Sequence, residues 1–97
     1  TMEMAAQIVH CHHERWDGKG YPRGIHGKNI PLAARIVALC DVYDALRSAR
    51  PYKKPWSHEE SVQEITGSSG AHFDPRVVEA FDAAQNEFAE TFELHMD

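Results

Sequence analysis

Three histidines and an acid fall within the five residues from His10 to Glu14: His10, His12, His13 and Glu14. A turn signal, Asp17-Gly18, follows, and then the tripeptide Gly20-Tyr21-Pro22. Imidazole and carboxylate ligands suit iron, manganese or zinc. Adjacent side chains at a helix end point about 100° apart. His12 and His13 can therefore face two neighbouring metals, or one metal and its outer shell. The plain alternative is a polar helix end with surface histidines, because a His-His pair has no ligand spacing of its own.

A second set of charges lies downstream. Asp41 and Asp44 interrupt an apolar run from Leu32 to Leu46. A buried aspartate must be ion-paired, hydrogen-bonded or metal-bound. The spacing predicts an ion pair for Asp44, with Arg47 or Arg35. Beyond the run stand Arg47, Arg50, Lys53 and Lys54, broken by Pro51 and Pro55. Arginine offers phosphate a planar fork and lysine a mobile point charge. The same cluster also reads as a solvated turn.

The elements that must position these groups read as helices. Met4, Ala5, Ile8 and Cys11/His12 recur at three- and four-residue steps, which predicts a helix over 2–13 with His12 at the end of its apolar face. Asp17-Gly18 and Gly20 break it. A loop of seventeen residues, Glu14 to Ile30, holds four glycines; loops this long are functional or disordered. In it, Gly20-Tyr21-Pro22 is either a turn with Tyr21 packed on the core or an exposed recognition loop. Pro31 suits the first position of a helix over 31–46, apolar on nearly every side and so central and buried. Ser57 and Glu60 form a capping box for a helix over 57–66, with Val62 and Ile65 as its apolar face. A Ser/Gly loop follows, where His72 reads as a packing residue. Asp74-Pro75 starts a last helix over 75–88, with Val77, Val78, Phe81, Ala84 and Phe88 inside. Phe92, Leu94 and Met96 either pack or fray.

The 97 residues make at most one small domain, of modest stability alone. A net charge of −5 argues against a nucleic-acid backbone as partner, while leaving room for a small anion held by a local basic cluster. Cys11 and Cys40 form no disulfide framework and read as free thiols of a reducing, cytoplasmic compartment. No apolar run reaches the roughly 18 residues of a membrane span. The expected fold is all-α, with almost no strand.

His12-His13-Glu14-x-Trp16-Asp17-Gly18-x-Gly20-Tyr21-Pro22 resembles the signature of the HD-GYP family. The resemblance continues through Ile30-Pro31-Leu32-x-Ala34-Arg35-Ile36-Val37, Asp41-Val42-Tyr43-Asp44-Ala45-Leu46, Arg50-Pro51-Tyr52-Lys53 and His72-Phe73-Asp74-Pro75. It implies a helical HD-domain-like bundle that hydrolyses cyclic di-GMP in bacterial signalling. It also implies a site of two or three divalent metals, iron or manganese, with His12, His13 and Asp41 among the ligands. Arg50 and Lys53 would then contact the substrate phosphates, and Gly20, Tyr21 and Pro22 would form the motif loop, which implies diguanylate cyclase domains as further partners.

One departure bears on activity. The family is named partly for a His-Asp dyad ahead of the His-His-Glu motif, and no His-Asp dipeptide occurs in this sequence. The chain is therefore expected to be the C-terminal portion of an HD-GYP domain, truncated to about four helices. Taken alone it is expected to be inactive and, with its core exposed, to self-associate. Two other classes remain open: an inactive remnant that binds protein or nucleotide, and a structural fragment that dimerises.

Overall fold

The computed structural model describes residues 2–94, and Met96 lies outside them. Five α-helices succeed one another: α1 (Met2–Cys11), α2 (Leu32–Arg47), α3 (His58–Gly67), α4 (Pro75–Ala83) and α5 (Gln85–Leu94). Among the described residues there is no strand, only two isolated bridges, Arg50 with Lys53 and Ser69 with Phe73. No helix is long and apolar enough to cross a membrane.

Helix α2 is the hub, packed against α1, α3 and α4. Its buried residues, Ala34, Ala38, Leu39 and Tyr43, recur at four- and five-residue steps. Leu39 and Tyr43 join Ile65 of α3 and Phe73, Val78 and Phe81 around α4 in the main core, where Val62, Val77, Phe88 and Phe92 pack against them. A smaller cluster under the long loop joins Cys11, Ile30 and Ala34. The helix is not enclosed on every side, because Leu32 and Ile36 are exposed. On α1, Met4 and Val9 are exposed too, so only Ile8 and Cys11 of its expected apolar face turn toward the core.

The caps follow their sequence signals. Ser57 accepts from the Glu60 amide and Glu60 receives the Ser57 amide, which completes the capping box of α3. Asp74 accepts from the Arg76 amide and Pro75 occupies the first turn of α4. Pro31 sits one residue earlier than expected, as the N-cap of α2. Helix α1 ends at Cys11, which leaves His12 and His13 in the turn beyond it.

The expected helix over 75–88 is two helices, which raises the count from four to five. The chain turns at Ala84, with φ −107° and ψ 13°. Two turns of straight helix would hold the backbones of Phe81 and Phe88 about 10 Å apart. The break instead brings their rings edge to face at 4.9 Å, and both close on Tyr43. Aromatic pairs favour this arrangement. Tyr43 also anchors a polar chain: its hydroxyl takes a hydrogen bond from Arg47 at 2.6 Å and meets His58 Nδ1 at 2.9 Å. Ser61, fully buried and unremarked in the sequence, donates to the Ser57 carbonyl at 2.8 Å.

The expected pairing of Asp44 does not occur. Asp44 is exposed; Arg35 is drawn instead to Asp74, and Arg47 to Tyr43. Arg35 Nη1 donates to Asp74 Oδ2 at 2.6 Å, and Arg35 Nε to the Ile30 carbonyl at 2.8 Å. Through these bonds one guanidinium fastens α2, the start of α4 and the end of the long loop.

Candidate functional site

The loop between α1 and α2 is ordered by hydrogen bonds within itself and to the connection between α3 and α4. Trp16 and Asp17 donate their amides to the carbonyls of His72 and Ala71, and the Gly27 amide reaches the Trp16 carbonyl. At the Asp17-Gly18 turn, Gly18 has φ +81°, a region that favours glycine. Arg15 gives two hydrogen bonds to Asp17, from Nε at 3.1 Å and Nη2 at 3.0 Å. This pairing, with the Lys19 amide, holds the Asp17 carboxyl down at about 2.

The Gly20-Tyr21-Pro22 tripeptide lies directly on the end of α1. A Cβ on Gly20 would stand 2.4 Å from the His13 carbonyl oxygen and 2.5 Å from the Arg15 nitrogen, so no other residue fits without moving the backbone. The Tyr21 amide donates to the His13 carbonyl at 3.2 Å. The Tyr21 ring stacks on His13, centroids 4.9 Å apart and planes 18° apart, while remaining 62% exposed. Tyr21 is thus exposed rather than packed on the core. The Tyr21-Pro22 peptide is cis.

His12 and His13 do not diverge as helix geometry predicts. Their ring centroids are 3.9 Å apart, because the helix has ended before them. His12 Nδ1 lies 3.1 Å from the Ile8 carbonyl oxygen and 3.0 Å from that of Val9. Carbonyls only accept, so Nδ1 carries a proton, and in the neutral imidazole the lone pair is then on Nε2. Nε2 faces Asp41 Oδ2 at 3.8 Å. The Asp41 side chain is 62% exposed rather than buried as expected, because it stands on the face of α2 that the loop leaves open.

These groups line one cleft of about 430 Å³. His12, His13, Gly20, Tyr21 and Asp41 stand in it, with Arg15, Lys19 and His72 as charged or titratable neighbours. Arg50 and Lys53 are not part of its lining; they close a turn past the end of α2, where Lys53 Nζ sits 5.5 Å over the Trp56 ring. The cations at the cleft are thus Arg15, already neutralised by Asp17, and the exposed Lys19. His72 stacks on Phe73 at 4.2 Å, and burial, then the nearby Arg15 charge, lowers its pKa. Arg15 and Lys19 also line the cleft, and nothing in their spacing marked them in the sequence.

The donor set suits part of a metal shell. A nitrogen and an oxygen 3.8 Å apart can both reach a metal at about 2.0–2.2 Å, and the fixed tautomer of His12 is the one such a ligand needs. His13, tilted 40° against His12 and stacked on Tyr21, is not gathered with them. Among the described residues no three histidine, cysteine or carboxylate side chains are close enough together to hold a metal ion. Both cysteines are free, Cys11 buried and Cys40 half-buried, and burial raises the pKa of Cys40.

The family model described as HD domain matches residues 1–77. A probable cyclic di-GMP phosphodiesterase of Vibrio cholerae is 47% identical over 96 residues, which is 99% of this chain and 22% of that protein. A cyclic di-GMP phosphodiesterase of Thermotoga maritima is 44% identical over 96 residues, 99% of this chain and 26% of that one. Among solved structures, that of a cyclic GMP-AMP specific phosphodiesterase of V. cholerae superposes with a TM-score of 0.69 at 35% identity, covering 91% of this chain and 19% of that one. The chain thus spans about a quarter or less of the length of these relatives.

Proposed function

Since the chain belongs to the HD domain family, we propose that it forms part of a metal-dependent phosphodiesterase that hydrolyses cyclic di-GMP in bacterial second-messenger signalling. The observation that carries this reading is the His12–Asp41 pair. A histidine held in one tautomer by two carbonyls turns its free nitrogen toward a carboxylate, in a cleft beside a lysine and a stacked tyrosine. The names of the two curated relatives support the substrate.

A divalent metal, when bound, lowers the pKa of coordinated water and neutralises phosphate oxygens. His12 and Asp41 are the residues that would hold it, with His13 beside them. His12 is oriented by the Ile8 and Val9 carbonyls, so its ring needs no rearrangement to present Nε2. Tyr21 covers one side of His13 and offers a flat face at the mouth of the cleft. Lys19 supplies positive charge at the rim. Arg50 and Lys53, one turn past α2, are assigned to more distant phosphate oxygens of the same substrate. Residues 1–97 correspond in this reading to the C-terminal portion of the catalytic domain. The remaining ligands come from elsewhere in the protein, and residues 1–97 alone do not turn over substrate.

A second reading, an inactive module that binds protein or nucleotide, is favoured by the exposed Tyr21, Val9, Leu32 and Ile36. Tyr21 would then be the contact for a partner such as a diguanylate cyclase domain, and the apolar face of α2 the contact between copies. Assaying cyclic di-GMP hydrolysis by the metal-loaded full-length protein separates the two. Turnover that is lost in His12→Ala and Asp41→Ala supports the enzyme; binding of the dinucleotide without turnover supports the module.

A further inference from the structure

Glu14 is the one carboxylate of the His-His-Glu segment and is 2% exposed. Neither the metal-like pair nor the cleft lining includes it. Its Oε2 accepts the Arg23 amide at 2.8 Å, a bond that crosses nine residues and closes the loop on itself. Among the described residues its Oε1 is buried with no hydrogen-bond partner. On the other strand of the same closure, Gly20 lies against the backbone of residues 13–15, and the Tyr21 amide reaches the His13 carbonyl. The loop over 20–23 is therefore fastened to residues 13–15, just past the end of α1, by the Gly20 approach, the Tyr21 amide and the Glu14 side chain, beside the Tyr21 ring on His13.

We propose that Glu14 is a positioning residue: its buried carboxylate pins the loop over 15–24 to the end of α1 and so holds Tyr21 stacked on His13 at the mouth of the cleft. The clamp works through hydrogen bonding rather than charge. Oε1 makes no bond, so a glutamine can keep the bond to Arg23 with its own carbonyl oxygen and loses nothing on the other side. An alanine leaves the Arg23 amide without its partner and opens a void beneath the loop. The effect on loop order stands by itself; the effect on substrate rests on the phosphodiesterase reading above.

The loop carries its own reporters, the trypsin sites after Lys19 and Arg23. In the full-length protein, Glu14→Ala should speed cleavage at both sites by about tenfold, as the opening equilibrium of the loop shifts by one lost hydrogen bond. Glu14→Gln should be cut at the wild-type rate. With cyclic di-GMP, Glu14→Ala should raise KM more than it lowers kcat, and Glu14→Gln should restore both. If Glu14→Ala does not fold, Gly20→Ala attacks the same closure from the loop side and should give the same pattern of cleavage. Wild-type cleavage rates in folded Glu14→Ala or Gly20→Ala would overturn the proposal. So would a Glu14→Gln variant as labile as Glu14→Ala, which would show that charge and not hydrogen bonding matters. If the wild-type protein turns over no cyclic dinucleotide, the functional reading fails while the proteolysis still decides the clamp.

Discussion

Arg35 and Asp74 stand 39 residues apart in the chain, and their side chains meet at 2.6 Å. Asp74 is nearly inaccessible and Arg35 mostly so. Removing one partner of a buried, hydrogen-bonded pair leaves a charge without compensation, which costs about 3–5 kcal/mol. Asp74→Ala also removes the cap of α4. Asp74→Ala and Arg35→Ala should each lower the unfolding free energy measured by urea denaturation by an amount in that range. Asp44→Asn, on the exposed face of α2, should shift it by less than about 0.5 kcal/mol. A double-mutant cycle on Arg35 and Asp74 that gives no coupling would contradict this account of the tie.

Tyr43 joins α2 to α3 and α5 through its hydroxyl and its ring. Tyr43→Phe keeps the packing and removes the oxygen. It leaves Arg47 and His58 without that partner, and should cost about 1–3 kcal/mol by urea denaturation. Phe81→Ala, which empties a buried ring site, should cost about 3–5 kcal/mol. Equal stability of Tyr43→Phe and wild type would show that the polar chain adds nothing to the packing.

Asp17 fixes a pH dependence. Its pKa in the folded protein is lowered from 3.8 to about 2 by Arg15 and the Lys19 amide. A carboxyl with a depressed folded pKa stabilises the fold above its unfolded value. That contribution is lost as the pH falls through the folded pKa. The protein should therefore lose stability between about pH 4 and pH 2, and part of this loss should be absent in Asp17→Asn. Thermal melts at pH 6 and pH 3 compare the two; an unchanged difference between the pH values in Asp17→Asn would count against the pairing.

Much of this was legible in the residues. The caps at Ser57 and Asp74 were, because capping is decided by a few adjacent side chains. The α2 run was legible as a helix but not in its burial, since an apolar run does not show which side stays open, and Leu32 and Ile36 are exposed. The break at Ala84 was not, since no glycine or proline marks it and its cause is the closing of Phe81 and Phe88 on Tyr43, a tertiary event. The partner of Arg35 was hidden for the same reason: spacing proposes neighbours along a helix, and Asp74 lies on another element. In the site, the His-His-Glu and Gly-Tyr-Pro residues were found as a motif. That they meet on one another, His13 on Tyr21 and Glu14 on the Arg23 amide, depends on a loop path that local propensity does not encode.

The proposed function gives His12 and Asp41 a metal and Arg50 and Lys53 the substrate phosphates. His12 and Asp41 face each other in the cleft, whereas Arg50 and Lys53 do not line it. Arg50→Ala and Lys53→Ala should weaken substrate binding or turnover by cyclic di-GMP kinetics and leave the fold intact, since Arg50 is exposed and Lys53 is half-buried over Trp56 at a surface turn. Full activity in both variants would remove them from the substrate site.

The most direct test is the metal content of the full-length protein, measured by elemental analysis after purification and dialysis. His12→Ala and Asp41→Ala should each lose bound divalent metal, while Arg50→Ala and Lys53→Ala should retain it at the wild-type level. Metal retained in full by His12→Ala and Asp41→Ala, or stripped by Arg50→Ala, would contradict the assignment of the His12–Asp41 pair as the metal-holding part of the site.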